Sequence, residues 1–152
     1  MLIAVQLKNI KNMTKKYILM IIATLSFSAG FAQHTLRLTI KGVESAEGKI
    51  SAALYTDQKS FLKFDKVFKA VSEKAVKGTT NLVIEDIPDG DYAVAVFHDK
   101  NSNGKLDTNM LGIPKEPVAF SKAKMKTFGP PSFSESAFSI MADTELTIRL
   151  NE

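Results

Sequence analysis

The amino-acid sequence predicts an all-β fold: a single antiparallel β-sandwich of about seven strands. Short segments in which apolar and polar residues alternate recur along the chain, and turns rich in glycine, proline and asparagine separate them. No segment carries a convincing long helical pattern. Short strands separated by turn signals, without long helices, are typical of a β-sandwich.

The first 32 residues have the features of a secretory signal peptide. Lys15 and Lys16 precede a short apolar run over residues 17–25, and small residues follow it. A membrane anchor is the alternative, but this run is shorter than the ~20 residues that span a bilayer. We therefore expect translation to start at Met13, the mature chain to begin at Gln33, and no membrane insertion after cleavage.

Charge and cysteine content narrow the functions open to the single mature domain, residues 33–152. All sixteen acidic residues follow position 32, whereas four of the twenty basic residues precede it, so the domain holds sixteen of each. A domain without net charge offers no electrostatic case for binding nucleic acid or an anionic membrane. The absence of cysteine excludes disulfides, thiol nucleophiles and thiolate metal sites. We expect an exported, soluble protein that is periplasmic or extracellular.

The strands are predicted in chain order from their alternation. Residues 35–41 place three aliphatic residues on one face, and residues 49–56 repeat the pattern, so we expect these two strands to pair as a hairpin. Residues 91–97 are apolar on both faces, which predicts a central strand that is covered on both sides. The remaining strands are predicted at residues 67–76, 81–87, 137–141 and 144–150, and two further strand candidates lie at residues 115–121 and 122–127.

Two short helical turns are also predicted. Asp57 is expected to cap one turn, with the following apolar residues tucked beneath the end of the sandwich. Ser132 and Glu135 have the spacing of a capping box, which predicts a second turn. A helix over residues 60–76 competes with the edge strand that the lysines of residues 67–76 favour.

The loop after the central strand carries the strongest chemical signal. It has oxygen-bearing side chains at every second position and Gly104 at the sixth, a spacing that wraps ligands around one cation. Leu106, at the eighth position, can pin the loop to the domain. An EF-hand loop ends in a bidentate glutamate, whereas this chain has Met110 there, and the flanks are strands. The predicted calcium ligands are Asp99, Asn101, Asn103, the backbone carbonyl of Lys105, and Asp107.

Two carboxylates without a closing glutamate predict weak calcium affinity, with a Kd on the order of 10⁻⁴–10⁻³ M. Glu116 could fold back towards the loop. The alternative is a metal-free hairpin in which asparagine and aspartate side chains bond their own backbone as Asx-turns. The residues leave both interpretations open.

His98 is expected to be an ordinary packed or exposed residue, because no second histidine stands near it in the sequence. The chain has many serines but no Gly-x-Ser-x-Gly elbow. We therefore predict no catalytic residue and no enzymatic activity. The alternative is a hydrolase or carbohydrate-active domain centred on His98, Asp99 and Asp107.

Phenylalanines flank a rigid Gly-Pro-Pro segment at residues 129–131. They are expected to cap the bottom of the sandwich, since single phenylalanines are usually buried. Alternatively, the loop from Phe128 to Phe133 presents a patch to an unidentified protein or glycan partner.

These segments together resemble the DUF2141 family of exported bacterial domains of unknown function. The resemblance covers residues 36–150. It is carried by residues 87–94, 97–107, 111–114 and 128–133. The family is similar to transthyretin-like and carboxypeptidase-regulatory β-sandwiches, which also have a Pro-x-Gly-x-Tyr turn before a central strand. The resemblance implies a transthyretin/Ig-like sandwich and export, and it implies no activity.

The leading functional interpretation is an exported, non-enzymatic module with a binding or structural role, stabilised by calcium. Besides the hydrolase, a second alternative is a transthyretin-like carrier of a small ligand. That alternative requires an apolar cavity, which a sequence does not reveal.

Overall fold

The computed structural model describes residues 33–150, which form eight β-strands in two sheets. The strands are β1 (Gln33–Val43), β2 (Lys49–Tyr55), β3 (Lys69–Lys74), β4 (Gly78–Pro88), β5 (Gly90–Asp99), β6 (Val118–Phe120), β7 (Phe138–Ile140) and β8 (Thr144–Arg149). A 3₁₀ turn (Phe64–Lys66) and a short helix, α1 (Phe133–Ser136), complete the regular structure of this range. Within it, no helix is long and apolar enough to cross a membrane. The signal peptide expected at residues 1–32 lies outside the described residues and stays a prediction.

The two sheets form the sandwich that the sequence predicts. One has three strands in the order β4-β1-β8; the other has the order β3-β2-β5-β6, and β7 pairs with the first residues of β5. Every pairing is antiparallel except that of β1 with β8, which is parallel. The all-β prediction is confirmed, with eight strands rather than seven and one parallel pair in an otherwise antiparallel arrangement.

The predicted hairpin of the first two strands is wrong. β1 pairs with β4 and β8, whereas β2 pairs with β3 and β5 in the other sheet. Both strands bury the face that alternation indicates, with Leu38 and Leu54 inside the sandwich. Alternation specifies which face of a strand is buried, and it does not specify which strand lies beside it. Residues 44–48 therefore connect the two sheets.

The core lies between the sheets and draws aliphatic side chains from both. The largest fully buried aliphatic residues are Leu36, Leu38, Ile40, Ile50, Leu54, Leu82, Ile87, Val94, Val96 and Ile140. A second cluster covers the outer face of the five-stranded sheet and includes Tyr55, Phe61, Ala93 and Phe120. β5 is therefore covered on both faces, as predicted for the central strand.

The competing helix over residues 60–76 does not form. Leu62 adopts a φ of 61°, in the left-handed region, which ends a right-handed turn. The 3₁₀ turn and the edge strand β3 follow it, so the edge-strand prediction is confirmed. The cap is confirmed as well, since Oδ1 of Asp57 accepts the backbone N–H of Ser60 at 2.9 Å.

The predicted capping box is present at α1, where the Glu135 carboxylate accepts the backbone N–H of Ser132 at 2.8 Å. The strand predicted over residues 115–121 shortens to β6, and the strand predicted over residues 122–127 does not form. Lys122 has a φ of 54°, which turns the chain out of the sheet directly after β6. The strands predicted in the remaining segments are present as β4, β7 and β8.

Candidate functional site

The predicted calcium loop begins at the last residue of β5. Asp99 is 1 % exposed, and its carboxylate accepts two backbone N–H groups: Oδ1 accepts that of Asn103 at 3.0 Å, and Oδ2 that of Gly104 at 2.8 Å. Hydrogen bonds to a carboxylate are stronger than those between neutral groups. Asp99 therefore ties the loop to the end of the central strand.

Three further predicted ligands are joined through their side chains. Nδ2 of Asn101 donates to Oδ2 of Asp107 at 2.7 Å, and Nδ2 of Asn103 donates to Oδ1 of Asp107 at 3.1 Å. The Oδ1 atoms of the two asparagines accept the backbone N–H groups of Asn103 and Lys105. The structure thus brings four of the five predicted positions together through side chains, whereas Lys105 takes part through its backbone.

A third carboxylate closes the base of the loop. Glu116 is buried, and its two carboxylate oxygens accept the backbone N–H groups of Lys100 and Asp107, each at 3.0 Å. The register that places Phe97 opposite Val118 brings Glu116 beside the loop. The sequence indicated that Glu116 could fold back, but its bridging of the two ends of the loop depends on strand pairing.

The connection between β1 and β2 packs against the backbone at the start of the loop. Gly48 has a φ of 68°, and a Cβ built there would lie 2.0 Å from the carbonyl oxygen of Asp99. His98 is fully buried, and its Nε2 lies 2.7 Å from the carbonyl oxygen of Glu47. Because a carbonyl only accepts, Nε2 carries the proton, and Nδ1 has no partner among residues 33–150. No sequence pattern indicated this close approach.

The alternative catalytic centre is not assembled by this geometry. His98 and Asp99 are consecutive residues of β5, so their side chains point to opposite faces of the sheet. His98 is enclosed on the core side, whereas Asp99 and Asp107 belong to the loop. The structure therefore brings Asp99 and Asp107 together and leaves His98 apart from them. The absence of enzymatic activity stays a prediction.

The oxygen atoms of the loop side chains are of the type that binds calcium, since calcium takes carboxylate and amide oxygens as ligands. Among residues 33–150, no group of three or more His, Cys, Asp or Glu side chains is arranged to hold a metal ion. A cation would thus depend on Asp99 and Asp107 together with the side-chain carbonyls of Asn101 and Asn103. The amide N–H groups of Asn101 and Asn103 already bond both carboxylate oxygens of Asp107, so these acceptors are satisfied without a metal.

A cleft of about 610 Å³ lies on the outer face of the five-stranded sheet. β2 and β5 form its floor, residues 111–114 form one wall and residues 125–130 form the other. Its lining is mainly aliphatic and aromatic, and the rings of Phe64 and Phe97 meet there edge to face at 6.4 Å. Small-molecule sites in proteins have volumes of roughly 300–1,000 Å³ and similarly apolar linings.

Strand register explains why the sheet has a hollow at this point. Ala53 of β2 lies opposite Ala95 of β5, and Ala95 lies opposite Phe120 of β6. The two methyl groups lie side by side between larger residues of the same face, Tyr55 and Phe97. Sequence reasoning missed the cleft because each alanine by itself is an ordinary strand residue. Only the pairing of β2 with β5 places them together.

Some of the phenylalanines around the Gly-Pro-Pro segment pack into the protein, and one is exposed to solvent. Phe120 and Phe138 are buried and Phe133 is half-buried, as expected for residues that cap the sandwich. Phe128 is fully exposed at the mouth of the cleft. The loop therefore contributes both to packing and to an accessible apolar surface.

An ion pair links the wall that carries Phe128 to α1. Nζ of Lys126 lies 2.7 Å from the Glu135 carboxylate at the start of α1. This hydrogen bond, together with those from Ser132, lowers the pKa of Glu135 from 4.5 to about 2. The lowered pKa keeps Glu135 ionised to a lower pH than an ordinary glutamate allows. Both side chains are about half exposed, so the pair links the loop to the helix only weakly.

The calcium-type loop and the cleft share a wall. Leu106, which precedes Asp107, lines the cleft. The backbone carbonyl of Asp107 accepts the N–H of Lys115 at 2.8 Å, and Thr108 pairs with Pro114. A short hairpin thus leaves the loop and forms one side of the cleft.

A protein-family model described as "Uncharacterized protein conserved in bacteria (DUF2141)" matches residues 38–149. The matched range contains both the loop and the cleft. No curated protein and no solved structure matches the chain.

Proposed function

The chain belongs to the DUF2141 family, which is described as uncharacterised, and we propose that it is an exported, non-enzymatic binding module for a small apolar ligand. The observation that carries this proposal is the cleft on the outer face of the five-stranded sheet. Export is proposed from the signal-peptide features of residues 1–32.

The cleft supports binding because it is both apolar and held in shape. Burial of apolar surface contributes about 25 cal/mol per Å² to binding, and a preformed site avoids the entropy loss of ordering its walls. Asn109 holds one wall, since its side-chain oxygen accepts the N–H groups of Leu111 and Ile113, each at 2.9 Å. The Lys126–Glu135 pair links the other wall to α1. For the small-ligand carrier considered from the sequence, we propose this cleft, outside the core, as the site.

Filling the floor of the cleft is expected to abolish ligand binding. In Ala95→Phe, a phenyl ring occupies the hollow between the walls without removing any buried apolar group. We expect the processed protein, which lacks residues 1–32, to bind the amphipathic fluorescent probe anilinonaphthalene sulfonate with saturation through its aromatic rings. Ala95→Phe should weaken this binding by at least about tenfold, the equivalent of ~1.4 kcal/mol. Fluorescence titration measures both affinities.

Ala70→Phe is the matched control for that variant. Ala70 lies in the same cross-strand row, opposite Ala53, but it is exposed on the edge strand and does not line the cleft. We expect its probe affinity to equal that of the unmodified protein. Equal losses in the two variants, or no saturable binding in the unmodified protein, would contradict the proposal.

We further propose that calcium binds weakly at the loop and steadies the wall that it shares with the cleft. The support is the set of oxygen donors on Asp99, Asn101, Asn103 and Asp107, which local hydrogen bonds bring together. Calcium supplies a positive charge at this cluster when it is bound. The chain's own contribution is to hold the four side chains on one loop, closed at its base by Glu116.

Calcium is expected to raise the melting temperature of the processed protein. At ten times Kd, a ligand of the native state adds ~1.4 kcal/mol, or roughly 3–7 °C for a domain of this size. The measurement is a thermal melt in EDTA and in ~10 mM calcium, which is ten times a Kd of ~1 mM. Asp107→Ala should lose the calcium-dependent difference. Equal melting temperatures in EDTA and calcium would indicate the metal-free hairpin, and a rise that persists in Asp107→Ala would place the cation elsewhere.

A further inference from the structure

Two loop tips present apolar side chains to solvent on the same side of the molecule. The first tip carries Met110, which is fully exposed, with Leu111 and Ile113 at 84 % and 56 % exposed; the second carries Phe128 at 100 % exposed. Leu111, Ile113 and Phe128 line the mouth of one cleft, so the two tips lie side by side. Singly exposed apolar residues are common on proteins, but a group of four marks a contact surface.

Both tips are turns closed by hydrogen bonds between some of their own backbone and side-chain groups. At the first tip, the N–H groups of Leu111 and Ile113 donate to the side-chain oxygen of Asn109, and that of Gly112 donates to the Asn109 carbonyl. The N–H of Asn109 donates to the carbonyl of Ile113. At the second, Lys126 and Gly129 exchange backbone hydrogen bonds. Such turns hold apolar side chains outward and can enter a water-poor region without leaving these N–H groups unpaired.

The chain around the tips is basic, although the domain as a whole has no net charge. Lys105, Lys115 and Lys122 are exposed in the segments that lead to the tips. The only carboxylates between residues 105 and 131 are Asp107 and Glu116, and the oxygens of both accept hydrogen bonds within the loop. Net composition offered no electrostatic case for an anionic surface, whereas residues 105–131 by themselves contain five lysines against two carboxylates.

We propose that the two tips dock on an anionic lipid surface, with their apolar side chains at the boundary of headgroups and acyl chains and the lysines against the lipid phosphates. Apolar insertion combined with basic side chains is the arrangement by which proteins bind the face of a bilayer without crossing it. Each lysine near an anionic leaflet adds to the attraction, which falls with ionic strength. Leu111, Ile113 and Phe128 also line the mouth of the cleft, but Ala95 on its floor lies outside the tips, so Ala95→Phe tests ligand binding without changing this surface.

The experiment is co-sedimentation of the processed protein with vesicles in EDTA. One set contains phosphatidylcholine alone and the other contains phosphatidylcholine with phosphatidylglycerol. We expect binding to the anionic vesicles that weakens as salt is raised, and little binding to the neutral ones. The double variant Met110→Ser with Phe128→Ser should reduce the vesicle affinity by at least about tenfold, because each substitution removes a large apolar side chain from the interface. Lys105→Glu with Lys115→Glu should reduce it as well.

Matched controls test whether vesicle binding depends on the tips themselves or on exposed apolar and basic residues anywhere on the protein. Val83→Ser with Met141→Ser removes exposed apolar side chains outside the tips, and Lys41→Glu with Lys77→Glu reverses charges beside the three-stranded sheet. Both pairs should bind vesicles as the unmodified protein does, and Ala95→Phe should also bind them. Absence of vesicle binding, or equal binding by the Met110/Phe128 variant, would overturn the proposal. So would a tip-dependent dimer in sedimentation that ignores lipid, because the tips would then be a protein interface.

Discussion

Replacing Gly48 with alanine is expected to destabilise the protein by about 2–6 kcal/mol. Left-handed backbone geometry at a residue with a side chain costs about 1–3 kcal/mol, and overpacking adds about 1–3 kcal/mol. Gly48 has a φ of 68°, and a Cβ there would lie 2.0 Å from the Asp99 carbonyl oxygen and 2.7 Å from the Lys100 Cα. Both neighbours are backbone atoms, so no side chain can move aside. Urea unfolding followed by circular dichroism measures the change.

Gly78→Ala separates the two contributions. Gly78 also has a positive φ, 93°, but nothing lies within 4 Å of a Cβ built there. This variant should therefore show only the backbone strain, about 1–3 kcal/mol. Equal losses of unfolding free energy in the two variants would mean that residues 47–48 are not in close contact with the loop. A larger loss in Gly48→Ala would show that the β1–β2 connection supports the calcium-type loop from behind.

Asp99→Asn is expected to give the second large effect, a loss of about 2–4 kcal/mol in the free energy of unfolding. The substitution keeps the size of the side chain, but one of its two buried acceptors becomes an NH₂ group facing a backbone N–H. An unsatisfied buried donor costs about 1–3 kcal/mol, and the charge-assisted bond is lost as well. Urea unfolding in EDTA, with amide exchange at Asn103 and Gly104, measures the change without any contribution from a cation.

Asp107→Asn is the control for this substitution. Asp107 is only half-buried, so the NH₂ group that replaces one of its carboxylate oxygens can donate to water, while the remaining oxygen still accepts from Asn101 or Asn103. We expect a loss below about 1 kcal/mol, as for exposed polar contacts. If both variants lost equal stability, the loop would depend on the convergence of all its side chains rather than on the anchoring of Asp99.

The features that the sequence determined are local ones. Alternation of apolar and polar residues over a few positions marked strands and their buried faces, because the period of a strand is two wherever it lies. The capping box at Ser132 and the cap at Asp57 were readable for the same reason, since each involves residues three positions apart. The spacing of residues 99–107 likewise brings four polar side chains together through Asx-turns within one loop.

The features that only the tertiary structure decided depend on residues far apart in the chain. The hairpin of β1 with β2 was a wrong prediction because alternation is compatible with pairing and with packing across the core alike. The cleft depends on Ala53 lying opposite Ala95, and the closure of the loop depends on Glu116 and Gly48. Strand register determines which of these distant residues become neighbours. The register in turn depends on the free energy of packing the whole core.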